Sequence, residues 1–503
     1  MIELINYQPK RRTELAATFG SPQWREALAE LGDLGEARRQ VRQPPSTPSP
    51  FAAPTTRLIA ANGEKVRARI AAGERRREVL LEALSSWPEQ AGEEREGLSF
   101  LGLNLSMECN FEPRCLYCNQ QQVQGALNLG GWKEVIAGAL PQQGDERPYV
   151  YLTGGEPLLL GEQVWGEEGL IRFAVQHGCA VNLNTNATLI SPAVALRLVQ
   201  MGLSKVHISL DTPDREVQDE LCGARGWYDA ILQGIANLQI AREVLQAEHP
   251  KVHINCVLTH RNLFHFPRLL GFLLEIKKAR SERIEVPIKQ DANFSDFLIH
   301  AIPVGGQENA HLRPSKDAFF CFFTEVWGQA GAIWTRYQEA LGIPPEERVT
   351  LEEHGVFTNP YLRVKYRGSL EDCCELAAAG VYSRLALCDR CYVGPCQAFV
   401  LPDGSQYWCG AHTVSRPPPV GNVKEGTLRR NIVRNLPELR VYPNEFCWNC
   451  AGATLAINQA VEQALEAKLD EWLAEADGER RRPGRGFAAS RGKAPAPTGQ
   501  SRP

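Results

Sequence analysis

LSFLGLNLSMECNFEPRCLYC, residues Leu98 to Cys118, is an apolar run that leads into three cysteines spaced C-x5-C-x2-C. Leu98–Leu105 predicts a short buried strand, and Cys109, Cys115 and Cys118 follow on the loop at its end. Three thiolates on one short loop can hold three irons of a [4Fe–4S] cube. The fourth iron then lacks a protein ligand and can bind a small molecule, which points to a catalyst. A structural zinc loop is the rival reading, but it wants four ligands, and no fourth cysteine or histidine stands close in sequence.

Tyr149–Leu152 predicts a second strand, which ends in Thr153, Gly154, Gly155, Glu156 and Pro157. Two glycines let a ligand approach the backbone, and the Glu156 carboxylate offers an acceptor to an ammonium group. A cysteine triplet followed by GGEP resembles the radical S-adenosylmethionine (SAM) superfamily, with the resemblance running from Leu98 to Pro303. The usual family spacing is C-x3-C-x2-C, so the first gap here is two residues longer. The resemblance implies that the cysteine loop holds the cluster and that Gly154, Gly155, Glu156 and Pro157 hold the methionine amino group of SAM. It implies that Tyr117 packs near the adenine. Asn182–Ala187 resembles the family's third-strand T-N-G, which brings in Asn184 and Asn186, with Ala187 where glycine is usual. Ser209 and Asp211 resemble the fourth-strand S-x-D, whose serine contacts the SAM ribose or carboxylate. These polar residues also suit plain strand-end caps. Cys222 stands where the family often carries an arginine for the SAM carboxylate, and Arg225 is an alternative holder.

Downstream, short apolar runs alternate with amphipathic ones. Strands are expected at 98–105, 149–152, 180–184, 205–210, 252–258 and 297–302, and helices at 132–140, 170–177, 192–201, 227–240 and 266–276. Six strands with five crossovers imply a parallel α/β sheet. By resemblance it closes as a six-stranded partial (β/α)6 barrel, with chemistry at the loops that follow the strands. The expected division is 1–96 for a helical arm with a Pro/Ser linker and 97–303 for the barrel. An insert at 304–387, a cysteine-rich α+β extension at 388–455, and a helix with a basic tail at 456–503 complete it. Helices are expected within 21–41 and 63–85.

Cysteines crowd again at Cys373, Cys374, Cys388, Cys391, Cys396, Cys409, Cys447 and Cys450. Pro402-Asp403-Gly404 predicts a hairpin turn that brings its flanking cysteines together. The set resembles the SPASM/twitch extension of radical SAM enzymes. That resemblance implies an auxiliary [4Fe–4S] cluster on Cys396, Cys409, Cys447 and Cys450. Cys388 or Cys391 can replace a ligand, a second auxiliary cluster remains open, and zinc is a rival occupant. Cys179, Cys256 and Cys321 read as buried apolar residues.

The chain has 503 residues, 43% hydrophobic and 23% charged, with a formal net charge of −4, so general nucleic-acid affinity is not expected. No signal pattern or long apolar run is evident, and clustered cysteines suit metal sites in a reducing cytoplasm. The ten histidines show no H-E-x-x-H pairing, so mononuclear zinc catalysis has no support in the sequence. The resemblance implies reductive cleavage of SAM to a 5′-deoxyadenosyl radical and hydrogen abstraction from a substrate. A low-potential donor such as flavodoxin or ferredoxin would supply the electron. A saturated auxiliary cluster would carry away the electron of a net oxidation. A peptide or protein substrate is the leading expectation. A small-molecule dehydrogenase or C–C bond former is the alternative, and a non-catalytic iron–sulfur or zinc scaffold is the distant one. The catalytic base is unknown; His412, just past Cys409, is a speculative one.

Overall fold

The computed structural model describes residues 21–45, 98–141, 147–283, 296–306, 308–351, 369–380 and 396–435, with isolated positions at 68, 69, 72–74, 79, 391, 393, 394 and 447. The expected helix at 63–85 falls mostly outside the described residues, as do Cys388, Cys450 and the chain beyond 447.

The first helical stretch is two helices, α1 (Pro22–Leu31) and α2 (Leu34–Arg39). Gly32 breaks the run at φ 73°, and Asp33 restarts it by accepting the Glu36 N–H at 2.7 Å. The arm is tied to the body: Trp24 and Ala27 enter the core, and the Arg38 and Arg42 donors reach the carbonyls of Val244 and Gln200.

Strands β1 (Phe100–Ser106), β2 (Tyr149–Gly154), β3 (Val181–Thr185), β4 (Lys205–Ser209), β5 (Lys251–Leu258) and β6 (Leu298–Pro303) pair in sequence order, all parallel. Parallel neighbours need crossovers, and these are supplied by α3 (Leu129–Ala139), α4 (Leu170–Gln176), α5 (Pro192–Gln200), α6 (Arg215–Leu221) with α7 (Trp227–Leu245), and α8 (Phe266–Arg283). Starts are well marked: Ser191 caps α5 ahead of Pro192, and Asp214 caps α6. Helix α7 outruns its expected end because Arg242, side chain fully buried, pairs with buried Asp296 at 2.9 Å and donates to the Glu248 carbonyl.

The sheet does not end at β1. β7 (Gln397–Val400) lies parallel to it, then β8 (Ser405–Tyr407), across the Pro402–Gly404 turn, and β9 (Gly421–Asn422) add antiparallel strands. The nine strands form an open sheet in the order β6-β5-β4-β3-β2-β1-β7-β8-β9.

Side chains alternate across this sheet. Leu101, Leu103, Val150, Leu152, Val181, Leu183, Val206, Ile208, Val252, Ile254 and Ile299 join the main core. The opposite face is different. Phe100, Tyr149, Tyr151 and Phe399 cluster at one end of it. Gly102 is required there, since a Cβ would stand 2.3 Å from the Phe399 ring. Further along the same face of this open, partial barrel come Asn182, Asn184, Lys205, His207, His253, Asn255 and His300, so that part of the face is polar.

Candidate active site

The cysteine loop leaves β1 and is anchored at several points. Arg114 closes it by donating to the carbonyls of Met107 at 2.8 Å and Gln120 at 3.0 Å. The Leu116 N–H reaches the Leu221 carbonyl at the end of α6, and Asn309 donates to the Tyr117 carbonyl. Asn110 bridges Thr188 and Asn186, both at 2.8 Å. The Cys109 sulfur faces two donors, the Phe111 N–H at 3.5 Å and the Asn186 amide at 3.9 Å. Burial raises the Cys109 thiol, so it stays protonated until a metal displaces the proton.

The GGEP loop grips this loop directly. Gly155 N–H donates to the Ser106 carbonyl at 2.6 Å, and Glu156 N–H donates to the Glu108 carbonyl at 2.7 Å. A Cβ on Gly155 would stand 1.9 Å from the Glu108 oxygen, and one on Gly154, at φ 136°, 2.2 Å from the Ser106 oxygen. The chain's own cysteine loop packs against these glycines where a side chain would stand. Glu156 already has partners within the chain. Its carboxylate is fully buried and accepts from Leu158 N–H at 3.0 Å, Thr185 Oγ1 at 2.8 Å and Asn186 N–H at 2.8 Å. Its side chain braces the end of β3, with Oε1 accepting two of these bonds and Oε2 one. Pro157 follows as the first residue of a 3-10 turn capped by Glu156.

Tyr117 donates its hydroxyl to Asp211 at 2.5 Å. The other Asp211 oxygen accepts the Val257 N–H at 2.7 Å, so this carboxylate ties the cysteine loop to β4 and β5. Burial pushes it up to about 6, against the pull of Tyr117, Val257 and Gln218. Asn184 links β2 to β5, donating to Thr153 and accepting from Asn255 at 2.6 Å. Ser209 stands at the end of β4, half-buried. Ala187 adopts φ 64°, a conformation that glycine takes more cheaply, as its likeness to T-N-G implies. Cys222 carries a signal the spacing hid. Its thiol is hydrogen-bonded to the Cys115 side chain and accepts from Gln218 at 3.2 Å, making it a fourth sulfur beside the triplet.

In the second cysteine field, Cys396 precedes β7 and Cys409 follows β8, so both stand at the same end of the hairpin, offset by one residue in its register. Buried Cys409 has Cys391 and Cys447 as electrostatic neighbours, and burial drives its thiol far up. The Cys447 sulfur lies 3.8 Å from His412 Nε2. Burial lowers His412 to about 4, which makes it a poor base at neutral pH. Cys373 and Cys374 are buried in a helix over Leu370–Ala379, packed in the main core. Cys179 and Cys256 are buried and Cys321 is half-buried.

One group had no sequence expectation. His207 on β4, His253 on β5 and His300 on β6 converge inside the barrel. A signal did exist: Lys-Val-His-Ile occurs at 205–208 and again at 251–254, and the two copies pair in exact register. Burial and the neighbouring imidazoles lower His207 well below its ordinary value.

Comparison with known proteins follows the same lines. Residues 103–263 match the sequence model of the Radical SAM superfamily. The chain is 29% identical to Fe-coproporphyrin III synthase of Methanosarcina barkeri over 35% of its own length and 41% of that protein. It is 30% identical to AdoMet-dependent heme synthase of Nitratidesulfovibrio vulgaris over 39% of its own length and 51% of that protein. It thus spans about half the length, or less, of these curated relatives. Among solved structures, Streptococcus suis SuiB bound to S-adenosylmethionine aligns with 16% identity over 76% of this chain and 75% of that one, at a TM-score of 0.45. Among the described residues, no helix is long and apolar enough to cross a membrane.

Proposed function

With residues 103–263 forming a radical SAM domain, we propose that this chain reductively cleaves SAM and abstracts hydrogen from a peptide or protein substrate in a net oxidation or cross-link. The observation that carries the radical reading is the pre-tied loop of Cys109, Cys115 and Cys118, bonded backbone to backbone to the GGEP loop.

The donor set fits an iron–sulfur cluster. Three half-buried cysteines share one loop, and N–H donors aimed at Cys109 would stabilise charge on its sulfur. The cluster and SAM together would supply a 5′-deoxyadenosyl radical. The chain's own part is positioning. Glu156 fixes the β3 loop so that Asn186 faces Cys109, and Asp211 holds Tyr117 beside the cysteines. Ser209, Asn184 and Asn255 form a polar layer at the strand ends, suited to a ribose or a carboxylate. Cys396, Cys409 and Cys447, with Cys450 or Cys391, would hold an auxiliary cluster that accepts the substrate electron; flavodoxin or ferredoxin would reduce the first cluster.

A large substrate is supported by apolar side chains left in water. Leu116, Leu159, Phe264 and Phe320 are all more than 40% exposed, and all lie in segments that follow β1, β2, β5 and β6 at the same edge of the sheet. Phe319 and Phe322, in contrast, are core residues. A small-molecule substrate is the second reading, favoured by the polar interior at Lys205, His207, His253 and His300 and by the names of the sequence relatives.

Anaerobically reconstituted protein reduced with dithionite is expected to release 5′-deoxyadenosine from SAM. The Cys109/Cys115/Cys118→Ala triple variant should release none. Equal release by both proteins would end the assignment. Stimulation by candidate peptides, set against porphyrins and nucleotides, decides between the two substrate classes.

A further inference from the structure

We infer that His207, His253 and His300 form a binding site for one divalent transition-metal ion of the zinc class inside the barrel, separate from both cysteine fields. The three ligand nitrogens lie within 4.8 Å of one another. His253 Nδ1 stands 3.2 Å from His207 Nε2 and 2.9 Å from His300 Nε2. Two nitrogens bound tetrahedrally at zinc distances are about 3.3 Å apart. The ring centres agree as well. Three imidazoles radiating from one tetrahedral ion have centres about 5.2 Å apart. Here the separations are 5.0 Å for His207–His253, 5.1 Å for His253–His300 and 4.6 Å for His207–His300.

Hydrogen bonding alone does not account for this convergence. His253 Nδ1 has one in-plane position, holding either a proton or a lone pair, yet it faces two ring nitrogens. One hydrogen serves one such contact well. A cation at the centre meets three lone pairs at once.

A second observation comes from behind His207. Its other nitrogen, Nδ1, faces the Asn182 amide nitrogen at 3.4 Å, while the Asn182 amide oxygen is buried with no hydrogen-bond partner. Turning that amide over lets its oxygen accept from His207 Nδ1–H. The imidazole is then fixed in the tautomer that leaves Nε2 free to bind metal, the arrangement metal-bound histidines ordinarily have. The rigid sheet supplies the ligands: His207 pairs with His253 in register, and His300 enters from β6 opposite Asn255. Lys205, two residues earlier on β4, is turned over the Tyr149 ring at 5.8 Å. Three nitrogen ligands without sulfur suit zinc, cobalt or nickel, and leave one coordination position for an oxygen donor. His207 and His253 stand two residues before Ser209 and Asn255 on the same face of β4 and β5.

The test uses full-length holoenzyme with its iron in place, titrated with Zn2+ and then with Co2+ as a spectroscopic probe. Metal content is measured together with zinc-edge X-ray absorption. The expected result is about one zinc per chain in a nitrogen/oxygen shell with imidazole scattering and no sulfur. His253→Ala should weaken that binding by more than about 100-fold, and Asn182→Leu by about 10- to 100-fold, with iron unchanged in both. If His253→Ala loses its iron through misfolding, His300→Gln and Asn182→Leu carry the comparison. Zinc held only through sulfur in the wild type, or nitrogen-bound zinc with the same affinity in the variants, overturns the site.

Discussion

Adding one methyl group to Gly155 tests how the two loops of the candidate active site depend on each other. The residue needs no unusual backbone conformation, so any damage comes from contact. Its Cβ would stand 1.9 Å from the Glu108 oxygen, against the 3.0 Å that real Cβ atoms keep. The loops must part by at least about 1 Å to relieve this overlap. That takes the Gly155–Ser106 and Glu156–Glu108 bonds, now 2.6 and 2.7 Å, beyond hydrogen-bond range. Two lost bonds cost about 2 kcal/mol, and overpacking adds about 1–3 kcal/mol. Gly155→Ala is thus expected to lower stability by about 3–5 kcal/mol and the melting temperature by about 10 °C. Iron retention should fall with it, because the displaced segment leads into Cys109. Gly138→Ala is the control: it sits in α3, where an added methyl would meet no atom within 4 Å, and should be neutral or mildly stabilising. Thermal melts read with iron content decide the matter. A Gly155→Ala protein that melts with the wild type and holds full iron would mean that the two loops do not depend on this contact.

Three further outcomes follow from the geometry. Asp296→Ala strands the Arg242 guanidinium in the core and should cost about 3–5 kcal/mol in denaturant titrations. Asp211 keeps its proton longer folded than unfolded, since burial raises it from 3.8 to about 6. Its contribution is therefore fully present below about pH 4 and lost as pH rises through about 6, a swing of about 3 kcal/mol. In the cluster-free chain, Asp211→Asn should flatten the stability profile across that window; an unchanged slope would show that Asp211 is not its source. Cys409→Ser and Cys447→Ser should each lower reconstituted iron from about 8 to about 4 atoms per chain while SAM cleavage persists. Iron that stays near the wild-type level would remove these cysteines from an auxiliary cluster.

The parallel sheet was legible because its outward residues are aliphatic: Val150 and Leu152, Val206 and Ile208, Val252 and Ile254 all pack against helices. The cysteine loop and GGEP were legible as local spacings. What Glu156 does was not, since its partners Thr185 and Asn186 lie about 30 residues away and are brought in only by the pairing of β2 with β3. Cys222 reaches Cys115 only through the fold of α6. The extension of the sheet by β7 depends on a strand of four residues nearly 300 positions from its neighbour β1. The three interior histidines were hidden in another way. They occupy alternate positions on three separate strands, so a search for paired histidines along one helix passes over them.

In the proposed chemistry, Cys109, Cys115 and Cys118 would hold the cluster that acts on SAM, with Cys222 beside them as a hydrogen-bonding thiol and not a ligand. Electron paramagnetic resonance of the reduced protein, before and after SAM is added, examines both halves of that statement at once. In wild type and in Cys222→Ser, a reduced-cluster signal whose g-values shift on adding SAM is expected. A spectrum that SAM leaves unchanged, or a signal that vanishes with Cys222→Ser, would contradict it.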